Sequence, residues 1–178
     1  DFIPMFKAEK FNASDWVSLF KKAGIKYVMP VAEHHDGFAM YETEFNRWNS
    51  KEMGPMRDVV GELKAECEKQ GLELCASTHR AEHYFFMNPG RLCDSDINDE
   101  KYVDFYGPAV YCEEFDPAII HITTADTYSK GASKEWLEDW LVRTCEIIDK
   151  YQPSVLYFDW WIHNHSFKPY LKKLAAYY

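Results

Sequence analysis

No stretch of this chain approaches the roughly 20 consecutive apolar residues that a membrane-spanning helix needs, so no membrane partner is expected. Positive charge is short: 20 Lys and Arg stand against 29 Asp and Glu, a formal −9. A nucleic-acid partner would want a basic patch to neutralise phosphate, and this balance argues against one. A neutral ligand suits the chain better than an anionic one. There is no GxGxxG and no P-loop, so nucleotide binding has no support. The five cysteines, Cys67, Cys75, Cys93, Cys112 and Cys145, are odd in number and never at CxxC spacing. They read as small hydrophobic thiols in a reduced protein, and no metal or other cofactor is expected from them. No signal peptide is visible, but the chain begins with Asp1 rather than Met. The natural N-terminus is therefore expected to lie outside it, and the compartment stays open.

What is present is aromatic. The 178 residues are enough for one domain with a core, and they include 6 Trp, 12 Tyr and 12 Phe. That load exceeds what a core of this size usually needs. Aromatic faces suit the C–H surfaces of sugars, which makes a carbohydrate cleft a candidate use for the excess.

Helix, strand and polar-aromatic loop recur three times. Asn12 caps a first helix, with Asp15 in the place of a capping-box acid; Trp16, Val17, Phe20 and Ala23 share its face and Gly24 ends it. Residues 25–32 follow as a near-continuous apolar run, the pattern of a strand buried on both faces. A second helix begins near Asp58, with Val59, Val60, Leu63 and Cys67 as its stripe, and stops at Gly71. A short strand over 72–76 follows. Ser133 caps a third helix striped with Trp136, Leu137, Trp140, Leu141, Thr144 and Ile148; Pro153 closes it, and a strand through Val155 and Leu156 follows. A last helix covers 167–178, with Pro169 in its first turn. The stretch 85–130 is irregular, and is either a large active-site loop or hides a short strand near 118–122. The alternation is that of an α/β fold with parallel strands and crossover helices.

Each strand leads into ionisable and aromatic residues. The first delivers Glu33-His34-His35-Asp36-Gly37-Phe38. On an extended segment His34 and His35 point opposite ways, which makes them a weak metal signal and a reasonable pair of hydroxyl-binding imidazoles. The second strand delivers His79, Arg80, Glu82 and His83. Glu82 reads as a general acid, a hydroxyl-binding carboxylate or, the commonest outcome for a Glu two residues from an Arg, the salt-bridge partner of Arg80. The third delivers Asp159-Trp160-Trp161, a carboxylate that is costly to bury and that is either a nucleophile or a turn residue. Trp48 is either a stacking platform or a satellite of the core.

The blocks Glu33-His34-His35-Asp36-Gly37-Phe38, Trp48-Asn49-Ser50, Gly54-Pro55-x-Arg57-Asp58-x-Val60-Gly61-Glu62-Leu63 and Tyr151-x-Pro153-x-x-Leu156-Tyr157-Phe158-Asp159 resemble the retaining α-L-fucosidases of glycoside hydrolase family 29. The likeness in order and spacing runs from about Asn12 to Tyr178. It implies part of a (β/α)8 TIM-like barrel, with 1–178 a single catalytic-domain fragment lacking N-terminal and C-terminal barrel segments. It implies removal of terminal α-L-fucose from an oligosaccharide or glycoconjugate, with Asp159 as nucleophile and His34 and His35 on fucose hydroxyls. Trp48, His79, Glu82 and Trp161 join them as expected sugar contacts.

Two departures from the family pattern stand out. Where the family carries a Tyr-Tyr-Ser type sequence, this chain has Cys75-Ala76-Ser77-Thr78-His79. The family's acid/base comes from a later part of the chain, so it is expected outside these residues, and the fragment alone is expected to be inactive or nearly so. Two further readings stand beside this one. A barrel-type metal-dependent hydrolase would use His34, His79, His83 and Asp159 as ligands. A carbohydrate-binding, non-catalytic protein would keep the pocket without the chemistry. The oligomeric state, the fucosyl linkage and the aglycone are not set by the sequence; the parent's compartment could be secreted, periplasmic or lysosomal.

Overall fold

The computed structural model describes residues 2–87, 90, 93–106, 132–159 and 162–178, without the side chains of residues 84 and 85. Trp161, Cys112 and the strand expected near 118–122 lie outside the described residues. The chain divides into two compact units. The first comprises Asp1–Glu33, Phe38–Thr78 and Glu146–Tyr157; the second comprises His34–Gly37, His79–Cys145 and Phe158–Tyr178.

The first unit holds most of the strand structure. Helix α1, Ala13–Lys22, starts where Asn12 Oδ1 accepts from the Asp15 amide at 3.1 Å. Strands β1 (Tyr27–Val28) and β2 (Val31–Glu33) are one run interrupted around Pro30, which has no amide to give. They pair in parallel with β3 (Glu73–Leu74) and β4 (Ala76–Thr78), respectively. Strand β4 lies between β2 and β5, Leu156–Phe158, and Ala76 donates its amide to the Val155 carbonyl at 2.9 Å. Helix α2, Val59–Gln70, is the crossover between the two parallel runs. Asp58 Oδ1 caps it on the Gly61 amide at 2.8 Å, and Gly71 ends it at φ +76°.

The core lies on one side of these strands. Val17 of α1, Val60, Leu63 and Cys67 of α2, and Ala32, Leu74 and Ala76 of the strands are all buried together. The expectation that residues 25–32 are buried on both faces fails. Ile25, Tyr27 and Val31 are exposed while Ala32 and Glu33 are buried. Successive strand side chains alternate in direction, and α1 and α2 cover only one of the two faces. Trp16, expected on the buried stripe of α1, is also exposed and meets Phe11 edge to face at 5.0 Å.

Helix α3 runs Lys134–Tyr151, with Ser133 Oγ accepting from the Trp136 amide at 3.2 Å. Its last turns belong to the first unit. There Tyr151 donates its hydroxyl to Asp58 Oδ2 at 2.8 Å, so the cap of α2 also anchors α3. Thr43 Oγ1 donates to Glu146 Oε2 at 2.5 Å in the same region.

The second unit is organised by aromatic packing. Trp140 of α3, fully buried, meets Phe167 at a right angle with centroids 5.1 Å apart, and Phe158 at 5.7 Å. Trp136 meets the other side of Phe167 at 6.0 Å. Helix α4, Lys168–Tyr177, follows Phe167 with Pro169 in its first turn. Much of the aromatic excess is thus core rather than cleft lining. Cys67, Cys75, Cys93 and Cys145 are all free thiols, and burial pushes the first two up from their ordinary pKa. No helix of the described residues is long and apolar enough to cross a membrane.

Candidate active site

The chemistry-bearing residues of the second unit follow directly on strand ends in the chain. His34 follows β2, His79 follows β4, and Asp159 follows β5. The path of each segment explains its geometry. After Glu33 the chain leaves the strand and turns, with Gly37 donating its amide to the His34 carbonyl at 3.2 Å. Gly37 has φ +82°, a conformation suited to glycine.

Because His34 and His35 sit in this turn and not on extended chain, they do not diverge. Their rings stack with centroids 4.0 Å apart and planes 25° from parallel. This corrects the expectation of opposed imidazoles. His79 closes a three-imidazole cluster, 4.7 Å from His34 and 6.0 Å from His35. Phe86 covers His35 at 4.6 Å, a contact that the sequence reasoning missed; its four-residue spacing from Glu82 was the available signal.

Glu82 lies on a single turn of 3-10 helix, Arg80–Glu82, and is 2% exposed. It does not pair with Arg80. Residues two apart on a helical turn face different directions, and Arg80 instead donates to Asp139 Oδ2 at 2.8 Å. Arg143 donates to the same carboxylate at 3.0 Å, so Asp139 balances two buried guanidiniums. Glu82 turns to His35, with Oε2 2.6 Å from Nε2.

That is an ion-pair distance between groups that burial keeps neutral. Burial first, and the Asp159 carboxylate second, push the Glu82 carboxyl up to about 7. Burial first, then His34 and His79, bring His35 down to about 4. Between those values the pair holds one carboxyl proton and no net charge. His79 Nδ1 stands 3.5 Å from Asp159 Oδ2, longer than a good hydrogen bond, and burial lowers its pKa as well. Asp159 is about one-third exposed at its side chain.

His83 acts beneath this layer. It is fully buried, and its Nδ1 lies 2.7 Å from the His35 carbonyl oxygen. Burial drives its pKa down to about 3, so the neutral ring donates from Nδ1 to that carbonyl.

The expected ligand set His34, His79, His83 and Asp159 is not assembled. Among the described residues two groups have donor atoms within 4.8 Å of one another, close enough for one cation: His34, His35 and His79, and His79, Glu82 and Asp159. His83 belongs to neither, because its ring is committed to the backbone under the turn. Trp48 lies in the first unit, 9% exposed, with the Arg47 guanidinium 4.4 Å over its ring.

The fold and site define a class: an α/β chain with parallel strands whose strand-end histidines gather beside a pair of carboxyl groups. Residues 1–177 match the family described as Alpha-L-fucosidase, and the chain belongs to that family. An alpha-L-fucosidase of Dictyostelium discoideum is 27% identical over 169 residues, which is 94% of this chain and 33% of that protein. A tissue alpha-L-fucosidase of Rattus norvegicus is 45% identical over 73 residues, 40% of this chain and 16% of that one. Among solved structures, the Thermotoga maritima alpha-fucosidase in complex with a mechanism-based inhibitor superposes with a TM-score of 0.68 at 27% identity. It covers 99% of this chain, which in turn covers 35% of it. The chain thus spans about a third or less of the length of these relatives.

Proposed function

We propose that this chain is part of a retaining exo-glycosidase that releases terminal α-L-fucose from oligosaccharides or glycoconjugates. On this reading its strands belong to a TIM-like (β/α)8 barrel that the rest of the protein completes. Asp159 is the nucleophile. Its carboxylate attacks the anomeric carbon, forms a fucosyl ester and is released when water attacks the same carbon. His34, His35 and His79 bind sugar hydroxyls, for which neutral imidazoles serve as donor or acceptor. Trp48 and Trp161 are proposed as further sugar contacts.

One observation carries the reading. Three imidazoles, His34, His35 and His79, converge beside a partly exposed carboxylate, which sets hydroxyl-recognising rings around the group that would attack the sugar. The experiment is trapping with a 2-deoxy-2-fluoro-fucosyl inhibitor on the whole protein, followed by peptide mass mapping. A stoichiometric label on Asp159 is expected. A label on any other carboxylate overturns the assignment. Fucose binding with no covalent label and no turnover would favour the non-catalytic carbohydrate-binding reading.

A further inference from the structure

Three imidazoles that converge are also a set of nitrogen ligands. We propose that His34, His35 and His79 form a binding site for a borderline transition cation of the Cu²⁺ or Zn²⁺ type, and that a cation held there excludes the substrate. The cation is an inhibitor, not a cofactor. Its exclusion of substrate rests on the retaining-fucosidase reading above, in which the same rings bind sugar hydroxyls. The cation site itself does not.

Three observations point to these residues. First, one ring nitrogen of each histidine lies within 4.8 Å of those of the other two. A tetrahedral cation about 2.0–2.1 Å from each nitrogen sets them roughly 3.4 Å apart, so modest side-chain rotations close the site. His34 is the exposed member of the set and has room to rotate.

Second, two of the rings are prepared for the role. His79 Nδ1 is buried with no hydrogen-bond partner among the described residues, and Asp159 Oδ2, 3.5 Å away, is too far for a good one. His35 Nε2 meets Glu82 Oε2 at 2.6 Å. A histidine that binds a metal commonly gives its other nitrogen to a carboxylate, which fixes the tautomer and the ring direction. Glu82 fills that place and leaves His35 Nδ1 for the cation. Phe86, 4.6 Å from His35, flanks the same ring.

Third, the donors select the ion. Three imidazoles suit Cu²⁺ and Zn²⁺, whereas Mg²⁺ and Ca²⁺ seek oxygen. The Asp159 carboxylate adds negative charge beside His79, and the nearest cation along the chain, Arg80, is engaged by Asp139. Two other arrangements compete. His79, Glu82 and Asp159 offer one nitrogen and two carboxylates, a set better matched to a harder ion. His163 and His165 form an exposed His-x-His pair away from the strand ends.

The test titrates Cu²⁺ alone into the whole protein, first cleared of metal, and reads its electron paramagnetic resonance spectrum. One site with several imidazole nitrogens is expected. His34→Gln and His79→Gln should each weaken it by at least about tenfold, since even the loss of an orienting partner costs a metal site that much. Asp159→Asn and the double variant His163→Gln/His165→Gln should keep it. Unchanged copper affinity in His34→Gln and His79→Gln, or loss of the site in either of the other two variants, overturns the proposal. Pulsed measurements on wild type need no variant to fold: copper bound by one imidazole or none also overturns it. Zn²⁺, which oxidises no thiol, should raise KM for a fucoside without lowering kcat, and EDTA should reverse the effect. Fucose should displace copper from the wild-type site. Inhibitor labelling separates the two levels. If Asp159 takes the label while copper binds elsewhere, only this inference falls. If copper sits on three imidazoles, fucose fails to displace it and Asp159 takes no label, the sugar reading and the exclusion fall while the cation site stands.

Discussion

Gly37 packs directly against the ring of His83: a Cβ built at Gly37 would stand 2.8 Å from His83 Cε1. The turn that presents His34 and His35 is thus seated on a buried imidazole that also holds the His35 carbonyl. The glycine is required twice, for the approach and for its φ of +82°. Gly37→Ala is expected to destabilise the protein by about 1–3 kcal/mol and to raise KM for a fucoside more than it lowers kcat. Denaturant unfolding and steady-state kinetics check both. His83→Ala in the same chain should relieve the clash but not the backbone strain, so the double variant recovers only part of the loss.

Asp159 occupies the end of β5 beside His79. On the role proposed for Asp159, Asp159→Gly should abolish hydrolysis, by more than about 10³-fold, since loss of a covalent nucleophile leaves only binding and transition-state electrostatics. Azide should then enter from the vacated side and give β-L-fucosyl azide, the inverted product. NMR of the product identifies the inverted azide.

The pH dependence follows from the directions of the shifts. Glu82, raised to about 7, holds its proton below that value and loses it above. For stability, a carboxyl with a raised folded-state pKa favours folding below its ordinary range near 4.3, and this contribution is lost as pH rises through 7. His35 and His83 act in the opposite sense. Their folded pKa values, about 4 and about 3, lie below the ordinary 6.5. Their contribution is present above 6.5 and is lost as pH falls through 4 and 3. Replacing His83 with Gln should flatten the acid side of a plot of unfolding midpoint against pH.

Asp139 holds two guanidiniums, Arg80 and Arg143, whose side chains are 6% and 8% exposed. Asp139→Asn keeps the size and removes the charge. It is expected to destabilise the protein by about 1–3 kcal/mol, discounted for the one-third exposure of the carboxylate. It should also shift the Glu82 turn, because Arg80 begins that turn. Urea unfolding reads the first effect, and a change in the pH dependence of unfolding through the range where Glu82 titrates reads the second.

Chelation should leave the activity of the whole protein unchanged. A cation between His79, Glu82 and Asp159 would occupy the proposed nucleophile, which opposes the proposed retaining mechanism. Loss of activity in EDTA that zinc restores would favour the metal-dependent reading.

Local signals carried the elements faithfully. Asn12, Asp58 and Ser133 cap where their short side chains predict, because a cap needs only an oxygen three residues from an unpaired amide. Gly71 ends α2 for the same local reason. The placing of His34, His79 and Asp159 just beyond strands was also legible, since strand ends follow from apolar runs and punctuation. Burial was less so. The exposure of Tyr27 and Val31 depends on which layers cover the sheet, a fact that no single strand's pattern contains.

The sequence by itself determined the family, the α/β alternation and the candidate nucleophile, because each rests on residue order and on spacing along the chain. Tertiary structure alone decided the partners. It turned His34 and His35 from opposed to stacked, sent Arg80 to Asp139, and set Glu82 against His35 beside Asp159. The reason is physical: a carboxyl's proton affinity and a ring's direction depend on what is buried next to them, and those neighbours come from stretches 47 and 77 residues away.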